Sequence, residues 1–337
     1  MAQPPAAVEN TTAGLERAWY AVALSAEVSE APRQVWLLGR PWVVVRLAGA
    51  VAAFADRCPH RLAPLSLGRN CGDSLQCAYH GWRFAPDGRC VEVPSNGPDV
   101  PVPSRAAATV PAAVMERYGL VWLAPAPPVC DVHDFWEWDD PAFDPAWTAP
   151  RRTSAGAGQL TDNFLDASHF PYVHASTFGV AESAYVAPHD VVRDAWEVRT
   201  VYQTFYANRD DPLVATGEHP LVQPQELHKL GRPFSCVLLR LKFPVSGATI
   251  AILFSCTPET ATASRVYKMM ARDDTRGDPA RLDAFVKDEE HILEEDLSVL
   301  EQYPHRGLHL DLREELHVRA DRLSVAYRRL LADFVGG

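Results

Sequence analysis

Two short clips, Cys58-Pro59-His60 and Cys77-Ala78-Tyr79-His80, are separated by 16 residues. Thiolates and imidazoles at such spacing are metal ligands, and a four-ligand set drawn from two clips requires two loops to meet at one point. The flanking sequence shows what carries those loops. Trp42-Val43-Val44-Val45-Arg46-Leu47 is rich in β-branched residues, and Val51 to Ala55 follows a Gly-containing break. Leu75 to Tyr79, Cys90 to Val93 and Gly119 to Ala124 have the same strand character. Pro86-Asp87-Gly88 and Pro94-Ser95-Asn96-Gly97-Pro98 mark turns between them. The clips therefore belong to a small all-β unit that ends near the Pro-rich run Ala124-Pro125-Ala126-Pro127-Pro128. A Cys₂His₂ set suits zinc as well. Each clip here mixes one Cys with one His, however, whereas the common finger keeps its cysteines together and its histidines together.

The rest of the chain mixes strands and helices. β-prone runs lie at Ser235 to Val245, Ala248 to Cys256 and Ser264 to Met270. Leu282, Phe285, Val286, Ile292, Leu293, Val299 and Leu300 form the apolar stripe of a helix over Pro279 to Gln302, and a second helix covers Asp321 to Phe334. Strands followed by a long closing helix predict an α+β domain, an antiparallel sheet wrapped on a helix. This half opens with a second constellation, Asn163-Phe164-Leu165-Asp166-Ala167-Ser168-His169-Phe170-Pro171-Tyr172-Val173-His174. Histidines five apart sit about 140° apart on an ideal helix, so Pro171 must mark a kink or helix end if both rings are to reach one point. An acidic cluster, Glu294-Glu295-Asp296, lies inside the long helix.

Cys-Pro-His-Arg and Cys-x-Tyr-His-Gly-Trp resemble the Rieske [2Fe–2S] domains of aromatic-ring and alkyl oxygenases. The resemblance implies that Cys58 and Cys77 hold one iron and His60 and His80 the other, with imidazole ligation raising the reduction potential. Respiratory Rieske proteins carry an extra disulfide, and the equivalent positions here are Ala63 and Tyr79, so this is the oxygenase type. Trp82 and Pro94 are expected to pack over the cluster, and Cys71 and Cys90 to be free thiols. Asp-x₂-His-x₄-His resembles the mononuclear iron motif of the same enzymes. It implies His169 and His174 as ligands of a mononuclear Fe(II), completed by a carboxylate, for which Asp296 is chosen over Glu295. The same resemblance places Asn163 beside the iron. It places Asp166 between the iron and a Rieske histidine of a neighbouring subunit, in a homotrimer.

The resemblance extends through Glu116-Arg117-Tyr118-Gly119-Leu120-Val121-Trp122-Leu123, Trp138-Asp139-Asp140-Pro141 and Asp321-Arg322-Leu323-Ser324-Val325-Ala326-Tyr327-Arg328-Arg329. It is to a monooxygenase branch that includes caffeine-type N-demethylases, dicamba and vanillate O-demethylases, and hydroxylases of saxitoxin-like alkaloids, the last most closely. It implies a flexible tail over residues 1–16, a Rieske domain over 17–128 and a helix-grip catalytic domain over 129–337. The implied activity is that of a terminal oxygenase using O₂ to hydroxylate a C–H bond of a small cyclic or nitrogen-containing molecule. Oxidative N- or O-demethylation with release of formaldehyde is the alternative. A cis-dihydroxylating dioxygenase is disfavoured by the short chain, and a simple electron carrier by the second metal set. Electrons are expected from NAD(P)H through a separate flavin/ferredoxin-type reductase, since the chain has no Gly-rich dinucleotide fingerprint of its own.

Charge and composition remove other classes. The 337-residue chain carries a formal charge of −11 with no basic block, a poor match to nucleic acid or anionic membrane surfaces. No apolar run approaches the roughly 18 residues of a membrane span. Met1 to Leu15 lacks the charged-then-apolar layout of a signal peptide, which predicts a cytoplasmic protein. Seven cysteines are an odd count and no disulfide framework. Phe164, Phe170, Tyr172, Phe178, Phe285 and Val286 are candidate pocket residues. Asn208 to Arg232, with its charged and proline residues, reads as a loop long enough to form a lid.

Overall fold

Runs of consecutive buried residues organise the first β unit. Arg33–Leu37, Arg40–Leu47 and Ala50–Ala55 form one antiparallel sheet, and Tyr20–Leu24, Ala113–Arg117 and Leu120–Ala124 form another. A third sheet runs Arg69–Asn70, Leu75–Gln76, Arg83–Phe84, Cys90–Glu92. Val43, Val45, Phe54, Leu65, Leu75 and Phe84 make the buried centre, and Cys58 and Cys77 lie at its edge. Asp56 ties the first clip down, since its carboxylate accepts from the Ser66 N–H at 2.6 Å, the Ser66 hydroxyl at 2.7 Å and the Gln34 amide at 2.6 Å. These elements belong to a unit comprising Glu16–Val129 and Pro258–Ala261. The computed structural model describes residues 5–97 and 99–337, so the Pro98 of the predicted turn and residues 1–4 of the predicted tail lie outside the described residues.

The second unit is built on an antiparallel sheet of β1 (Asp144–Trp147), β2 (Arg151–Thr153), β3 (Val191–Arg193), β4 (Val198–Ala207), β5 (Val222–Arg232), β6 (Cys236–Lys242), β7 (Thr249–Thr260) and β8 (Ala263–Arg272). The order is β1-β8-β7-β6-β5-β4-β3, with β2 also paired to β8. Its helices are α1 (Ala157–Leu165), α2 (Phe170–Val173), α3 (Pro212–Thr216), α4 (Pro279–Leu300) and α5 (Arg322–Gly336). Asp278 caps α4, its carboxylate accepting from the Ala280 N–H at 3.0 Å, with Pro279 in the first turn. Phe285 of α4 packs onto Leu239, Leu241, Ile250 and Ile252 of the sheet. The α+β architecture is therefore the predicted one. Among the described residues no helix is long and apolar enough to cross a membrane.

Two expectations are corrected here. Residues 5–15 are not a loose tail. Ala7–Val8 pairs with Leu308–His309. The buried Asn10 donates to the Ala263 carbonyl at 3.1 Å and accepts from the Ala157 N–H at 2.9 Å, capping the start of α1. Its partners are far along the chain, so local composition carried no trace of them. Asn208 to Arg232 is also not a lid. It contains α3, and all of β5 pairs with β4, from Val222 opposite Ala207 to Gly231 opposite Val198. The inward positions of β5 are Gln223, Gln225, Leu227, Lys229 and Gly231, and only one of these is a large apolar residue. Polar inward residues hid the strand's alternation.

Candidate functional site

The two clips fold into matching loops. The Cys58 N–H donates to the Ala63 carbonyl and the Leu62 N–H returns to Cys58, at 2.8 and 2.9 Å. The Cys77 N–H donates to Trp82 and the Gly81 N–H returns to Cys77, at 2.8 and 3.1 Å. The closing position takes a left-handed backbone in both, φ 63° at Leu62 and 72° at Gly81. A side chain at Gly81 would meet Pro94 at 3.2 Å, so glycine suits that loop on two counts. Cys58 and Cys77 are each 2% exposed. Burial pushes the Cys58 thiol up to about 11, with the neighbouring Cys77 adding to the rise, so Cys58 keeps its proton near neutral pH unless a metal displaces it. The His60 and His80 rings lie 4.5 Å apart and Trp82 stacks on His60 at 4.5 Å and 6°. His60 Nδ1 is buried with no hydrogen-bond partner, an orphan lone pair where a cluster iron would sit. The donor set fits a Rieske cluster.

The second site is assembled from α1, α2 and α4. His169 precedes the single turn of α2 and His174 follows it, with Pro171 inside, and the rings approach to 5.1 Å. Gly179 lets the following segment fold back on that turn. A Cβ there would lie 2.2 Å from the Phe170 carbonyl. Asp296 of α4 completes the group: its Oδ1 is 3.5 Å from His169 Nε2 and 3.2 Å from His174 Nε2. Ligand atoms of His169, His174 and Asp296 all lie within 4.8 Å of one another. Asn163 Nδ2 donates to Asp296 Oδ1 at 3.3 Å, which puts Asn163 on the carboxylate itself.

The outward nitrogens are occupied. His169 Nδ1–H donates to Asp166 at 2.8 Å and His174 Nδ1–H donates to Glu295 at 2.8 Å. Each ring is thus fixed in the tautomer that presents the Nε2 lone pair inward. Glu295 is itself held by Ser176 and, at 2.8 Å, by Thr177. Burial would raise both carboxyls, but these hydrogen bonds hold Asp166 and Glu295 below the usual carboxylate range. Burial also disfavours a charged His174, yet Asp296 and Glu295 outweigh it and move that ring upward. Three carboxylates around two imidazoles make a negative site suited to a divalent cation. Glu295→Gln should lower iron affinity by about 10–100-fold, read as iron retained against a chelator. Unchanged retention would mean that Glu295 does not orient His174.

The two histidines and Asp296 open onto a cavity walled by α1, α4 and the concave face of the sheet, including Leu227, Leu239, Leu241 and Ile252. Phe164, Phe170, Phe178 and Phe285 line it. Tyr172, 75% exposed, and Val286 do not. On the other side, Asp166, His169 and Asp296 border a polar recess with Asp162, His305, Glu315 and Arg328.

Sequence reasoning missed Lys229. It is fully buried on β5, and its Nζ donates to the carbonyls of Phe164, Leu165 and Asp166 at 3.1, 3.1 and 2.6 Å. It closes the end of α1 from which Asp166 projects. Burial pushes its ammonium down to about 8 against the pull of Asp166 and Asp296. No sequence signal singled it out, because the polar residues around it read as loop.

The family model of the vanillate O-demethylase oxygenase C-terminal domain matches residues 153–335. That of the Rieske [2Fe-2S] domain matches residues 18–111. Methylxanthine N1-demethylase NdmA of Pseudomonas putida is 29% identical over 95% of this chain and 89% of its own. The oxygenase component of chloroacetanilide N-alkylformylase of Rhizorhabdus wittichii is 34% identical over 59% of this chain, and the match spans 61% of that relative. The solved structure of Pseudomonas putida CBB5 NdmA with caffeine superposes with a TM-score of 0.79 at 26% identity, covering 94% of this chain and 90% of that one.

Proposed function

Because this chain belongs to the Rieske non-heme iron oxygenases, as their terminal component and related to the methylxanthine and vanillate demethylases, we propose that it inserts one oxygen atom into a C–H bond of a small cyclic molecule. The observation that carries this reading is the His169, His174 and Asp296 set opening onto a mostly apolar cavity. The relative that matches nearly the whole chain is an N-demethylase by name. That favours an alkyl group on nitrogen or oxygen as the site of attack over a ring carbon.

Each side chain then has a task. His169, His174 and Asp296 hold the mononuclear iron, and Cys58, His60, Cys77 and His80 hold the [2Fe–2S] cluster. When bound, the two centres supply O₂ activation and single electrons. Asp166 and Glu295 keep the imidazoles oriented. Asn163 steadies Asp296. Phe164, Phe170 and Phe178 line the cavity with apolar surface and exclude water from the oxidised carbon. After oxidation of an N- or O-alkyl carbon, the carbinol collapses to an aldehyde and the dealkylated product, and a ring carbon instead keeps its hydroxyl.

Asp166 is further assigned to electron delivery. It lines the polar recess and is not among the residues lining the cavity. The partner assigned to it is a Rieske histidine of a neighbouring subunit in a homotrimer, with its bond to His169 Nδ1–H as one end of the route. An oxygenase component works with a separate reductase, here assigned to the flavin/ferredoxin type. All seven cysteines are free thiols, which suits the reducing cytoplasm.

The test is turnover with a surrogate flavin–ferredoxin reductase, NADH and ¹⁸O₂ on a panel of N-methyl, O-methyl and fused-ring nitrogen compounds. Formaldehyde in step with a product lighter by one methylene is the expected result. A product carrying one labelled oxygen without formaldehyde would replace dealkylation by hydroxylation, and two labelled oxygens would overturn the monooxygenase reading.

A further inference from the structure

We propose that Gln225 is the specificity-determining residue of the cavity, and that the substrate is an uncharged ring compound whose carbonyl, or equivalent acceptor, takes a hydrogen bond from its amide. The inference rests on the cavity being the substrate site.

Gln225 sits in the middle of β5, opposite Thr204 of β4, and its side chain is on the inward face that lines the cavity. The residue is 2% exposed, and its Nε2 is buried with no hydrogen-bond partner. Its polar neighbours on the same face are engaged. Gln223 donates to Asp211 at 2.9 Å and accepts from Asn208 at 3.1 Å, while Lys229 serves three carbonyls. Gln225 thus lines a mostly apolar cavity with an amide donor that no protein group satisfies. A buried amide without an acceptor is destabilising in the free protein, and a ligand carbonyl recovers that loss on binding. A ligand lacking the acceptor leaves the donor stranded, which is how a polar group in an apolar cavity discriminates strongly.

The charge state follows from the cations on the same walls. Lys229 and Lys268 are the ammonium groups among the described residues lining the cavity. Lys268 donates to the Glu289 carboxylate at 2.9 Å and to its carbonyl at 3.0 Å. Lys268 is paired with a carboxylate and Lys229 has its donors on three carbonyls, so neither offers a free hydrogen bond to a carboxylate ligand. The aromatic walls suit a flat molecule: Phe164 stacks on Phe254 at 4.4 Å and Phe178 on Tyr206 at 5.2 Å.

The test compares three probes on the anaerobic holoenzyme: the N-methylquinolone with its carbonyl beside the nitrogen, the dimethylnaphthalene of the same outline, and naphthoate. Affinity is read by calorimetry, and proximity to the iron by the EPR spectrum of its ferrous–nitrosyl adduct. The quinolone should bind at least about tenfold more tightly than the hydrocarbon. Gln225→Leu should erase that preference while leaving hydrocarbon affinity and the Rieske absorption as they were. Equal affinities in the unmodified enzyme, an equal loss for both probes in the variant, or naphthoate as the tightest ligand would each overturn the proposal. A hydrocarbon that perturbs the iron signal while the carbonyl adds nothing removes Gln225 and keeps the cavity as the substrate site. Quinolone binding that depends on Gln225 but leaves the iron signal unchanged removes the cavity reading on which the proposal rests.

Discussion

Replacing His169 by alanine is expected to lower turnover by at least about a thousandfold while the visible spectrum of the Rieske cluster stays intact. Its Nε2 is one of three ligand atoms gathered within 4.8 Å, and two ligands do not hold a divalent iron against water. The clips that hold the cluster are in a different unit, folded around its own buried centre. Metal content should therefore fall by one iron per chain, with the two cluster irons retained. The contrasting variant is Asp166→Asn. An asparagine oxygen can still accept from His169 Nδ1–H, so iron is retained, but the negative charge assigned to electron delivery is gone. Turnover should fall by about 10²-fold with both metal centres present. Full activity in His169→Ala would refute the metal-site assignment. Full activity in Asp166→Asn would refute only the electron-delivery role.

The second large effect is on stability. Lys229→Met keeps the length of the side chain and removes its donors, leaving the carbonyls of Phe164, Leu165 and Asp166 buried without the ammonium that now serves all three. A buried group of this kind is costly to delete, and a loss of about 2–4 kcal/mol is expected. Urea unfolding of the metal-free protein measures it directly. The same change frees the end of α1, so iron retention should fall in parallel although Lys229 touches no metal. A variant within about 0.5 kcal/mol of the parent would show that water satisfies those carbonyls equally well.

Where the sequence was readable, the reason is local. The cluster clips are loops of a few residues, and the hydrogen bonds from Cys58 to Ala63 and from Cys77 to Trp82 close within each loop. His169 and His174 flank one helical turn. The long helix α4 was legible from its apolar period. Lys229 and Gln225 were not legible, because a lysine or glutamine facing inward from a strand looks like loop sequence until its neighbours are known. Asn10 was hidden for a related reason, since its partners are Ala157, Ala263 and Ser264.

The acidic run on α4 marks the boundary between the two kinds of information. The resemblance carried by Asp-x₂-His-x₄-His implied that a carboxylate from Glu294-Glu295-Asp296 serves the histidines. Consecutive helical residues point about 100° apart, so each of the three reaches a different neighbour. Glu294 turns outward to Arg151, Glu295 meets His174 Nδ1, and Asp296 meets both Nε2 atoms. The sequence alone determined the chemistry of this chain, because metal ligands must be particular residue types at short spacing. The resemblance had already chosen Asp296 as the ligand, and only the tertiary structure decided that Glu295 orients His174 and which donor lines the cavity unpartnered. Those roles depend on the direction in which a side chain leaves its helix or strand, and on what the rest of the fold has placed there.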